Sequence, residues 1–124
     1  MKPLKLAYSK IIPFTGFYAI TLFGYLIRRE KYRDVPVKPT TWNHESIHVE
    51  QAGDFGLGFF GYFIFYLLYG LEWLLKLPSA IFGCRVYRSL SFEHEAYNNE
   101  TNLQYLETRK RFAWVKYIFK FVKK

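Results

Sequence analysis

In the stretch WNHESIHVEQ, His44 and His48 stand four positions apart and Glu45 directly follows the first of them. On an α-helix, residues four apart lie one above the other on the same face, so the two imidazoles can offer ring nitrogens to one metal ion. Glu45 then stands beside that ion, placed as a general base toward a water acidified there. Such a site needs a third protein ligand and leaves its remaining position to water. One cluster offers candidates: Glu93, His94, Glu95 and, a turn or two later, Glu100. Residues on a helix advance by about 100°, so Glu93 and Glu95 do not face the same ion. Ala96 shares a face with Glu93 and is small enough to let two helices approach, which favours Glu93, with Glu95 the alternative. The plain alternative is a pair of polar histidines on an amphipathic helix and, in Glu93, a first-turn carboxylate favoured by the helix dipole. The single cysteine, Cys84, excludes an internal disulfide and a thiolate cluster, leaving histidine and carboxylate as ligands.

The elements that position these residues are legible in outline. The first helix is expected over residues 41–52, capped by Thr40 or Thr41 and ended by Gly53 in a left-handed turn. Before it, residues 14–29 are rich in Phe, Tyr, Ile and Thr, which predicts one long bent strand or a hairpin, with a helical or membrane-inserted segment as the alternative. Residues 31–41, with Pro36 and Pro39, read as a loop. After it, residues 55–71 carry no charge and predict a long apolar helix, extended past Glu72 and ended by Pro78. Residues 79–90 are a connector, and Ser91 is expected to cap a further helix that carries Glu93 and runs toward the C-terminus. There Phe112, Val115, Ile118, Phe119 and Val122 fall on one helical face and Lys116, Lys120 and Lys123 on the other. The fold expected is therefore α+β, mostly helical, in one domain over residues 1–124: a strand or hairpin, the histidine helix, a long apolar helix and a C-terminal helix with the third ligand.

His-Glu-x-x-His followed some tens of residues later by Glu-x-x-Ala on a second helix resembles the gluzincins, the thermolysin-like metallopeptidases, and is closest to their small and membrane-associated branches. The chain also resembles short bacterial proteins, typical of Bacteroidetes, that pair an HExxH helix with a Phe-Glu-x-Glu-Ala-Tyr helix, here residues 92–97. The resemblance implies a minimal zincin-like core, Zn2+ as cofactor, His44, His48 and Glu93 as its ligands, and Glu45 as general base in peptide-bond hydrolysis. Tyr97 departs from the family pattern, which has an Asp there that supports a histidine ligand, so orientation must come from another group. No tyrosine or histidine stands out as the group that stabilises the oxyanion.

Composition narrows the partners. Thirteen Phe, 11 Tyr and 3 Trp against 10 acidic residues, with a formal charge of +8, favour anionic surfaces and make self-association plausible. Nucleic acid has charge alone in its favour and no reading motif. The start does not read as a signal peptide, since Pro13, Thr15 and Gly16 interrupt its apolar run. A single span over residues 55–71 would put His48 and Glu93 on opposite sides of a bilayer, and Arg85 and Arg88 prevent a return crossing. A buried or interfacial helix is expected instead, in a protein that rests on a membrane, its cytoplasmic side included. The strand before the first helix is expected to pair along its edge with an extended peptide. Two readings follow: a zinc metallopeptidase acting on a peptide or protein substrate, or a basic, non-enzymatic protein that binds a membrane surface or a partner and carries a structural or vestigial metal site.

Overall fold

A computed structural model of the protein describes residues 4–9, 19–30, 33–34 and 36–123. The architecture is α+β and mostly helical. Three short strands, β1 (Lys5–Ser9), β2 (Ala19–Leu22) and β3 (Tyr25–Arg29), form a sheet of order β1-β3-β2. β2 and β3 are an antiparallel hairpin, and β1 runs parallel to β3 in the register Lys5 to Tyr25 through Ser9 to Arg29. The hairpin turn is Phe23-Gly24, both with positive φ, which matches the twist of the strands it joins. Phe23 carries that conformation because its ring packs 5.3–5.8 Å from those of Phe59, Tyr62, Phe63 and Tyr66, and its N–H donates to the Tyr66 hydroxyl. The part of the predicted strand at residues 14–18 lies outside the described residues. Because β3 is flanked on both sides, its edge is taken. Among the described residues the outer edges of the sheet belong to β1 and β2, so within the segment of residues 17–28 it is β2, not β3, that has an edge to offer an extended peptide.

α1 (Pro39–Gly53) begins two residues earlier than expected, with Pro39 in its first turn, where the missing N–H costs nothing. Thr40 and Thr41 therefore lie inside the helix and neither caps it. Its end is also different: Gly53 is helical and the left-handed residue falls at Gly56. α1 lies between two apolar clusters. Val49 faces Leu4 and Leu26 of the sheet side, and Ala52 faces Tyr62, Phe65, Phe92 and Trp114.

α2 (Gly61–Lys76) is the long apolar helix, entered through a 3-10 turn at Gly58–Phe60 and continued as a 3-10 turn over Leu77–Phe82. Gly61 is required where α2 crosses α1, since a Cβ there would collide with the Ala52 carbonyl. A short α3 (Val86–Ser89) leads into α4 (Ser91–Asn99), and α5 is the single turn Tyr105–Thr108. Ser91 does not cap α4 from outside; it is the first helical residue. Glu72 of α2 takes over that role, accepting from the Ser91 N–H at 2.8 Å and its hydroxyl at 2.7 Å.

The helix expected to run on toward the C-terminus, with or without a break, does break, ending at Asn99, and no amphipathic helix forms over residues 112–122. Phe112 is left-handed and only a 3-10 turn follows, Ala113–Tyr117. The periodic apolar face is overruled by two residues off it. The Trp114 ring packs, tilted, 4.5 Å from that of Phe92 and the Tyr117 ring 4.6 Å from that of His94, so these two are buried while Val115 and Phe119 face outward.

Candidate metal centre

α1 presents His44 and His48 on one face, and α4 brings Glu93 against them. Glu93 Oε1 lies 3.0 Å from His44 Nε2 and 3.1 Å from His48 Nε2, and all three residues are buried. These three can hold a metal ion, with one donor atom from each lying within 4.8 Å of the others. The spacing suits a small ion: arms of about 2.0–2.1 Å in a tetrahedron separate neighbouring ligand atoms by roughly 3.3 Å.

The chemistry of the donor set fits as well. His48 Nδ1 is 2.7 Å from Gln51 Oε1, and His44 Nδ1 is 3.0 Å from Glu100 Oε2. The orientation of the Gln51 amide is settled by its nitrogen, which donates to the Phe92 carbonyl and to Glu95. Both partners of the Nδ1 atoms are thus acceptors, so each Nδ1 carries a proton and each Nε2 is turned toward the ligand position. These contacts supply the orientation that Tyr97 does not. Tyr97 instead packs its ring 4.5 Å from that of His44. Asn43 holds the end of α4 in place for this, its amide donating to the carbonyls of Asn99, Glu100 and Asn102.

Without metal, the three groups form an ion pair. Burial alone would lower the His48 pKa, but the charge and hydrogen bond of Glu93, with the Glu45 charge and the Gln51 bond, raise it from 6.5 to about 10. Burial works against the Glu93 carboxylate, yet the two imidazoles hold it well below its ordinary value. The Tyr69 hydroxyl donates to Glu93 Oε2 at 2.7 Å; burial and that carboxylate push its pKa up, so it stays a donor. Tyr87 turns toward the same carboxylate and is pushed up for the same reasons.

Glu45 is half-buried, and its charge reaches His48, Tyr66 and Tyr87. Glu95, the alternative ligand, points elsewhere. It is fully buried with Arg109, whose guanidinium reaches it at 2.6 Å and grips Asp54 through two bonds of 2.9 and 2.8 Å. Tyr105 also donates to Glu95 at 2.7 Å. Since Gln51 bonds both His48 and Glu95, this ion-pair network ties the segment after α4 to the metal face. His94 points away from the imidazoles, to Tyr117. A groove of about 570 Å³ near Trp42, Asn43 and Leu103 lies nearly opposite His44 and His48 around α1 and does not join their site.

Gln51 was within reach of sequence reasoning, since it follows His48 by three residues on the same helix. Tyr69 and Tyr87 were not, because nothing local marks which tyrosine of so many meets Glu93. Comparison with protein-family models, known proteins and solved structures returns no match for this chain. The likeness to gluzincins therefore rests on the motif residues themselves.

Proposed function

We propose that the protein is a zinc-dependent metallopeptidase that hydrolyses bonds in a peptide or protein substrate. The observation that carries this reading is the convergence of His44 Nε2 and His48 Nε2 on one Glu93 oxygen, with both Nδ1 atoms already engaged by Gln51 and Glu100. His44, His48 and Glu93 would hold the ion, which when bound supplies Lewis acidity toward a water and toward the carbonyl to be cut. Glu45, the motif carboxylate beside His48, takes the proton of the attacking water. It then delivers that proton to the amide nitrogen as the C–N bond breaks, which keeps the proton count balanced. Tyr69 fixes the Glu93 carboxylate by its hydroxyl and leaves Oε1 to the metal side.

Purified protein is expected to carry close to one equivalent of zinc, and His48→Ala to lose it. Glu45→Gln is expected to keep the metal and to lose cleavage of a peptide library by at least 100-fold, in line with the contribution of general acid-base catalysis. Metal-free wild-type protein, or equal cleavage by both forms, would end the proposal. A second reading is favoured by the burial of all three ligands: a closed metal site that joins α1 to α4 without turnover. It predicts full zinc occupancy, no cleavage by wild-type protein, and unfolding on chelation.

A further inference from the structure

The outward side of α2 is largely open among the described residues, although the Phe63 ring also meets that of Phe23. Phe60, Phe63, Leu67, Leu71 and Leu74 recur at steps of three and four and form one stripe, with Leu67 69% exposed. The opposite side of the same helix holds Tyr62, Phe65, Tyr69, Glu72 and Lys76, all turned to the body of the protein. The helical run Gly58–Phe82 is long and apolar enough by length and composition to cross a membrane. Its packing argues against a crossing. Gly61 touches α1 at one end, Tyr69 bonds Glu93 in the middle, and Lys76 bonds the Ser89 carbonyl at the other end. A polar body therefore lies along the whole length of α2, and a crossing would carry its surface charges, Glu50 and Arg111 among them, into hydrocarbon.

Beyond the far end of α2, the C-terminal segment packs beside Cys84, Arg85 and Lys76. Arg85 N–H donates to the Val122 carbonyl at 2.6 Å, Cys84 pairs with Lys123, and the Phe121 ring lies 5.0 Å from Lys76 Nζ. This places Phe119, 90% exposed, and Phe121 in the same region as Ile81 and Phe82, which are 85% and 78% exposed. Exposed cations belong to the same terminal region: Arg85 and Lys123 at the Cys84–Lys123 pairing, and Lys116 and Lys120, whose amines lie over the Tyr117 ring. Bulky apolar tips interleaved with amines fit the boundary between lipid headgroups and acyl chains, where the rings insert and the amines meet phosphate. A second copy of the chain fits poorly, since each copy brings a formal charge of +8 and apposed faces would place like charges together.

We propose that the protein docks on anionic lipid bilayers through this face, with α2 lying flat and the tip formed by residues 81–82 and 119–123 inserted. The face is on the side of α2 away from the metal centre, so docking leaves that centre turned from the lipid. It does not depend on whether the centre is catalytic.

Flotation of the full chain with vesicles tests it. Wild-type protein is expected to float with vesicles of seven parts phosphatidylcholine to three parts phosphatidylglycerol. It should do so at least tenfold less with phosphatidylcholine alone, and less again at 1 M salt. Leu67→Glu/Leu71→Glu should reduce the floated fraction at least tenfold while its circular dichroism stays that of wild type. Lys116→Gln/Lys120→Gln/Lys123→Gln should lose the preference for the anionic vesicles. Phe119→Ser, at a side chain that is almost fully exposed, should weaken binding with no loss of fold and serves if the helix variant does not fold. The proposal is overturned if folded wild-type protein stays at the bottom of the gradient with anionic vesicles. It is equally overturned if the folded apolar variants float as wild type does, or if light scattering shows a dimer that Leu67→Glu dissociates and that does not float. Repeating the flotation with Glu93→Gln separates this result from that of the metal centre, because docking is expected unchanged.

Discussion

Gln51 and Glu100 decide how the two imidazoles stand, and neither belongs to the motif that marks the site. Each accepts from a histidine Nδ1, so removing either leaves a ring free to turn and a proton free to move to Nε2. Glu100→Ala and Gln51→Ala are each expected to weaken zinc binding about 10- to 100-fold. A competition titration against a chromophoric chelator measures this, and unchanged affinity in both would show that the rings are oriented by packing alone. Asn43→Ala is expected to act in the same direction as Glu100→Ala, because it releases the chain end that carries Glu100. The legibility of these residues follows from their distance in sequence. His44, Glu45 and His48 are read directly from helical spacing, and Glu93 from its offset to Ala96. Glu100 stands seven residues after Glu93 and so shares its helical face, which makes it a candidate in the sequence; the structure adds that it meets His44 Nδ1 and not the ligand position.

At the scale of elements, the joint between α2 and α4 carries most of the load that capping was expected to carry. Glu72 accepts two bonds from Ser91 and pairs with Lys76 at 2.8 Å, and Lys76 in turn donates to the Ser89 carbonyl. Glu72→Ala removes the bonds to Ser91 and the pairing with Lys76, and leaves a buried ammonium without its anion. Breaking a buried pair in this way costs about 3–5 kcal/mol. Urea denaturation is expected to show a loss of that order, and Glu72→Leu/Lys76→Met to recover part of it, because no charge is then left unpaired. If the double variant is less stable than Glu72→Ala, the loss comes from packing and not from the stranded charge. The turn of the β2–β3 hairpin makes a parallel case. Gly24→Ala meets both a positive φ and the Tyr62 hydroxyl, and is expected to cost about 1–3 kcal/mol. These elements differ in how far the sequence reveals them. The hairpin and α2 are signalled by aromatic and β-branched composition and by an uncharged run. The C-terminal segment misleads, because its period of apolar residues is real but the residues that pack onto α4 are Trp114 and Tyr117, which lie off that period.

At the scale of the whole molecule, the metal centre joins α1 to α4, so the stability of the protein without metal is tied to the protonation of that joint. His48 has a pKa raised from 6.5 to about 10 in the folded state, chiefly because Glu93 outweighs the cost of burial. The folded state thus binds more protons than the unfolded state between those two values, and stability falls as pH rises across that window. Glu93 has the opposite sign: its pKa is lowered from 4.5, so its contribution is present above that value and lost as pH falls through the folded pKa. Both shifts describe one ion pair and count once. The metal-free protein is therefore expected to be most stable between about pH 4.5 and 6.5 as far as this pair governs it, and to lose melting temperature steadily from pH 6.5 to 10. Zinc bound at His44, His48 and Glu93 would reverse the slope. It would compete with the proton on the ligand nitrogen, so its affinity is expected to rise with pH, and at a free concentration one hundredfold above Kd it would add roughly 2.7 kcal/mol. Thermal melts at pH 6, 8 and 9.5, with chelator and with excess zinc, are expected to diverge as pH increases. Parallel melting curves at all three values would mean that His48 and Glu93 do not share a proton in the folded protein, and that the joint between α1 and α4 is held by the apolar contacts of Ala52 and Phe92 instead.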